Sequence, residues 1–162
     1  MNQKPKTYLC GPIGLNVIRN AKEWRQMVKE RLSNMCVIAL DPFDNIGNSL
    51  QNVRTDLHTA SDEGDIEGAR YIVSKYFIPP DLKMVKTSNL LTVYIPEKDD
   101  YEICGSYGEA TLAAFFHKPV YIVTDRILKP ITLPHWLVGC STEIFTNWED
   151  YFKFIEKEWG SK

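Results

Sequence analysis

The feature that most constrains this chain is a series of short, unbroken apolar runs separated by helical patterns. "MCVIAL" (Met35–Leu40), "LLTVYI" (Leu90–Ile95) and "PVYIVT" (Pro119–Thr124) are solidly hydrophobic rather than alternating. That is how strands buried on both faces of a parallel sheet read. "TYLC" (Thr7–Cys10), stopped by Gly11-Pro12, and the weaker "TEIF" (Thr142–Phe145) add two further candidates. Between the runs, apolar residues recur at steps of three and four. Ile18, Ala21, Trp24, Val28 and Leu32 predict one helix from about Asn16, and Ile66, Ala69, Ile72 and Val73 predict another. Pro79-Pro80 suits the first turn of a short helix through "PPDLKMVKTSN". Glu109 falls on a helix between the third and fourth runs, and Trp148, Tyr151, Phe152, Ile155 and Trp159 line one face of a last helix. The polar stretch from Asp41 to Asp65, with Gly47 and Gly64, reads as a long loop. Strands alternating with helices predict an α/β fold: one doubly wound domain over residues 1–162. It would hold a parallel sheet of about five strands with helices on both faces, flavodoxin- or Rossmann-like.

Charge and cysteine usage narrow the partners. A net charge of −2 and a pI near 5.9 give no basic footprint for a polynucleotide backbone. No apolar run approaches the roughly 20 residues of a membrane span. The N-terminal "MNQKPKTYLCGPIG" has no export signal pattern, and Cys10, Cys36, Cys104 and Cys140 form no CxxC pair. Both observations predict a cytoplasmic protein with reduced thiols. His58, His117 and His135 share no ligand spacing, and "DEGDIEG" fits no calcium loop. No metal site is therefore expected.

Open parallel sheets bind ligands beyond the carboxyl ends of their strands. Here those ends carry "CGPIGLN", "DPFDN", "PEKDDYEICGSYGE" and "DRILKPITLPHW". None is a GxGxxG fingerprint or a Walker loop. In "GSYGE" the small residues Gly105 and Ser106 leave room for a ligand ahead of Glu109, which sits where turn becomes helix. A carboxylate there can attack an electrophilic carbon, or simply complement the helix dipole. Asp81 in "PPDL" reads equally as a first-turn acid, and Cys104 as a structural thiol.

Taken in order, "TYLCGPIG", "PPDL" with "KTSNLLTVYIP", "GSYGEATLAAFFHKPVYIV" and "KPITLPHWLVGC" resemble the nucleoside 2-deoxyribosyltransferase family. The resemblance covers most of the chain apart from roughly Asn45 to Tyr76. It implies that Glu109 is a nucleophile that attacks C1′ of a 2′-deoxynucleoside, with Tyr8 holding it and Asp81 protonating the leaving base. Gly11 and Pro12 would line the sugar side. A second nucleobase would then take the deoxyribosyl group from the covalent intermediate. It further implies a homo-oligomer with shared active sites and no cofactor.

Two positions depart from the family pattern. Its transferases carry an aspartate six residues before the glutamate, for the sugar 5′-hydroxyl; here that residue is Ile103, with Asp100 and Glu102 as substitutes. Without a carboxylate there, a 5′-phosphate would be easier to accept, with Ser106 as a hydroxyl donor. Thr132 stands where transferases place an asparagine from the adjacent subunit. The alternatives are thus a nucleoside 5′-monophosphate N-glycosidase or a nucleotide-binding sensor without turnover.

Overall fold

The computed structural model describes residues 3–12, 18–44, 48–97, 104–126, 128 and 132–160. Its centre is a five-stranded sheet in the order β2-β1-β3-β4-β5, all parallel. The strands are β1 (Lys6–Cys10), β2 (Ile38–Leu40), β3 (Leu90–Ile95), β4 (Val120–Thr124) and β5 (Glu143–Phe145). The helices are α1 (Ile18–Asn34), α2 (Asn48–Asp62), α3 (Ile66–Ile72), α4 (Ile78–Thr87), α5 (Cys104–Phe115), α6 (His135–Cys140) and α7 (Trp148–Trp159). A π-helical segment, Val73–Phe77, joins α3 to α4. Among the described residues no helix is long and apolar enough to cross a membrane.

Strand side chains alternate between two cores, as the two-residue period requires. Tyr8 and Cys10, Leu91 and Val93, and Val120 and Ile122 pack with Met84 and Val85 of α4, Ala110 and Ala113 of α5 and Leu137 of α6. Leu9, Leu90, Tyr121 and Val123 face the other way, onto Trp24, Val28 and Leu32 of α1 and Tyr151, Phe152 and Ile155 of α7. Both faces are therefore covered, and the doubly wound architecture predicted from the apolar runs is the one observed.

Three local expectations are corrected. "MCVIAL" is not a strand buried on both faces: only Ile38–Leu40 is extended, at the sheet edge, and Ile38 is 39% exposed. Met35 and Cys36 instead close α1. Cys36 adopts φ 60°, Val37 N–H donates to the Leu32 carbonyl and Cys36 N–H to that of Ser33. This paired helix ending ordinarily takes glycine. The polar stretch read as a loop contains α2, whose Val53, Leu57 and Ala60 turn inward while its other described side chains, from Asn52 to Asp62, are polar. Finally, α5 begins at Cys104, so "GSYG" is helix rather than turn and Glu109 lies in the second helical turn. An acid there has lost most of its interaction with the helix N-terminus, which weakens the dipole explanation.

Candidate active site

The sheet reverses its winding between β1 and β3: the chain passes from β1 outward to β2, and from β3 the other way to β4 and β5. That switch point is where an open α/β sheet forms a crevice at the strand carboxyl ends. Tyr8 and Cys10, two residues apart on β1, share the face that looks toward α5. Glu109 of α5 lies between their side chains. The Tyr8 hydroxyl donates to Glu109 Oε1 at 2.7 Å, and the Cys10 thiol donates to Oε2, also at 2.7 Å. Each carboxylate oxygen is thus held by a buried donor, Tyr8 being 0% and Cys10 1% exposed.

Burial, followed by the charge of Glu109, pushes both Tyr8 and Cys10 well above their ordinary values. Both therefore stay protonated and act as donors. Ser106, 3% exposed on α5, also hydrogen-bonds the Cys10 thiol.

Asp81 stands in the first turn of α4, which opens with Pro79 and Pro80. It is partly buried and within hydrogen-bonding reach of Tyr8. Burial raises its pKa to about 7, and the nearby Glu109 charge adds to the rise. Tyr8, Arg54 and Arg25 oppose it. Asp81 consequently carries a proton through much of the range in which an ordinary carboxyl has lost it. The cluster joins a carboxylate gripped by two donors to a second acid able to deliver a proton, an arrangement suited to displacement with leaving-group protonation.

The turn after β1 is held by Arg25, which is 0% exposed. Its guanidinium donates to the carbonyls of Gly11 (3.1 Å), Pro12 (3.2 Å) and Ala21 (2.9 Å). Its Nε lies 3.5 Å from Asp41 Oδ1 at the end of β2. Burial lowers the Arg25 pKa to about 10, with Asp41 opposing, so it is charged at neutral pH. Gly11 is required by close approach: a Cβ there would stand 3.0 Å from the Trp24 ring and 3.1 Å from the Tyr94 carbonyl oxygen. Gly105 and Gly108 on α5 differ, since a Cβ at either would meet nothing within 4 Å among the described residues. They keep the helix surface beside Glu109 low and open.

Tyr8, Asp81 and Glu109, predicted from separate segments, thus meet in one cluster, and Ser106 joins it through Cys10. Gly11 and Pro12 are buried in the turn that follows Cys10. Thr132 is exposed, and its carbonyl accepts from Arg126 Nη1 at 3.1 Å. Asp100, Glu102 and Ile103 lie outside the described residues. Sequence reasoning missed Cys10 and Arg25. The signals were the i, i+2 spacing of Tyr8 and Cys10 on a strand and an arginine four residues after Ala21 on the apolar stripe of α1.

Fold and cluster define a doubly wound α/β domain with a paired-acid site at its switch point. Solved structures with this fold include the 2-deoxyribosyltransferase of the psychrotolerant bacterium Bacillus psychrosaccharolyticus (TM-score 0.56, 16% identity, covering 91% of this chain and 90% of that one). A conserved protein of Enterococcus faecalis V583 superposes with a TM-score of 0.64 at 16% identity, over 95% of this chain and 98% of that one. The Clostridium botulinum CMP N-glycosidase BcmB matches with a TM-score of 0.52 at 10% identity, over 94% and 98%. No protein-family model matches the chain, and no curated protein does. The fold is therefore shared with a deoxyribosyltransferase and an N-glycosidase, as the ordered segments of the sequence implied.

Proposed function

We propose that this protein is an enzyme of the nucleoside 2-deoxyribosyltransferase and N-glycosidase family that breaks the N-glycosidic bond of a 2′-deoxynucleoside. The supporting observation is Glu109, held at both oxygens by Tyr8 and Cys10 with Asp81 alongside. A Glu109 oxygen attacks C1′ as the C1′–N bond breaks and its electron pair passes to the base. Protonated Asp81 gives its proton to that base. The deoxyribosyl–Glu109 ester is then opened by a ring nitrogen of a second base, whose proton returns to Asp81. Two displacements retain configuration at C1′.

Ile103 in place of the family's aspartate favours a second reading. The substrate is then a nucleoside 5′-monophosphate, and water opens the ester. Chromatography of purified protein with deoxynucleosides and their 5′-monophosphates, with and without a second free base, tests both. A new nucleoside appearing only with acceptor supports transfer, and free base from monophosphates without acceptor supports hydrolysis. Absence of base release in every mixture would sink both readings.

A further inference from the structure

One cation at this site belongs to the part of the chain that the family resemblance does not cover. Arg54, on α2, is partly buried, and its guanidinium lies over the Phe43 ring at 4.4 Å and near the Phe77 ring at 5.8 Å. Phe77 and Asp81 are four residues apart where the π-helical segment runs into α4, so they rise on one helical face. Packing against Phe77 carries the Arg54 charge to the Asp81 side of the cluster, where it acts on both Asp81 and Asp41. Its Nε is buried, and no described residue accepts a hydrogen bond from it or from its Nη groups. Arg25 Nε likewise lacks a hydrogen bond, but its Nη groups donate to three carbonyls. An arginine held by two rings, with its Nη donors unspent and its charge acting on Asp81, is placed to meet an oxygen acceptor.

We propose that Arg54 receives the departing nucleobase and selects bases that leave with negative charge on a ring carbonyl oxygen. The inference rests on Asp81 facing the leaving group, as proposed above. When the C1′–N1 bond of a uracil nucleoside breaks, the electron pair spreads from N1 onto O2 and O4, and a guanidinium stabilises that anion without a proton. Cytosine, with an electron-donating amine at C4, leaves better by taking the proton of Asp81. Arg54 and Asp81 therefore divide the work according to the base.

The test compares initial rates of base release from deoxyuridine and deoxycytidine, each as nucleoside and 5′-monophosphate, for the unsubstituted protein, Arg54→Met and Arg54→Lys. Arg54→Met is expected to slow the deoxyuridine form about tenfold more than the deoxycytidine form, the loss of one charge-assisted hydrogen bond to the base. Arg54→Lys keeps the cation and should recover most of the difference. Equal slowing of both forms, or no slowing, would overturn the proposal by making Arg54 a packing residue. Failure of Arg54→Lys to recover any selectivity would overturn it also. Lack of base release by the unsubstituted protein would overturn the proposed function, and this inference with it.

Discussion

On the α1 and α7 face of the sheet, strand side chains meet aromatic rings, and the buried hydroxyls satisfy one another. Thr92 contacts Thr7 at 2.8 Å and Tyr151 at 2.6 Å, and Trp148 stacks on Phe152 with ring centroids 5.8 Å apart. On the α4 and α5 face the same strand β1 sends out Tyr8 and Cys10, and their protons converge on an acid. Hydroxyl pairs exhaust their hydrogen-bonding capacity on each other and hold the fold. A carboxylate with one donor per oxygen keeps lone pairs, and a neighbouring acid near neutrality keeps a proton to give. One sheet thus separates stability from chemistry by the two-residue alternation of its strands.

Substitutions on each face should separate along the same line. The largest effect belongs to Glu109→Ala, expected to lower base release on the order of 10⁴-fold or more while circular dichroism and melting temperature change little. Retained turnover would remove Glu109 from the chemistry. Phe152→Ala, on the opposite face, should cost about 3–5 kcal/mol of stability by leaving a cavity, with kcat nearly unchanged where the protein is still folded. Denaturant titration beside an activity assay checks it, and an activity loss larger than the unfolded fraction would show that the faces are coupled.

Asp81→Asn should reduce the rate with a deoxycytidine substrate about 10²-fold and reshape its pH dependence. With a pKa near 7, Asp81 loses its proton as pH rises through that value, so the wild-type rate should fall on the alkaline side. Asn has no such proton, and that limb should vanish. Stability follows the same sign. The folded state holds a proton between the ordinary 3.8 and about 7 that the unfolded chain has lost, so this contribution declines as pH rises across that window. The smallest effect is expected of Cys10→Ala, which removes one hydrogen bond and should slow base release about fivefold, with Cys10→Ser recovering much of it. Identical rates for both variants would make the thiol a packing group alone.

Much of this was legible in the chain. Leu90–Ile95 and Val120–Thr124 are apolar throughout because both of their faces are covered, so they declare themselves as central strands. Trp148, Tyr151, Phe152 and Ile155 mark α7 because a helix packed on one side needs an apolar stripe. The edge strand and α2 were illegible for the converse reason. Ile38–Leu40 pairs on one side only, and α2 turns few apolar residues inward, so neither needed the pattern that identifies a buried element.

By itself, then, the sequence determined the central strands and the helices between them, the doubly wound class and the candidate acids Glu109 and Asp81. Local periodicity and turn chemistry act over a few residues and need no distant partner. Only the tertiary structure decided that Tyr8 and Cys10 close on Glu109 across separations of 101 and 99 residues. It also decided that burial lifts Asp81 to about 7 and that the charge of Arg54, from α2, acts on it. Desolvation and charge proximity depend on which segments the sheet brings together, and no local stretch of sequence encodes that distance.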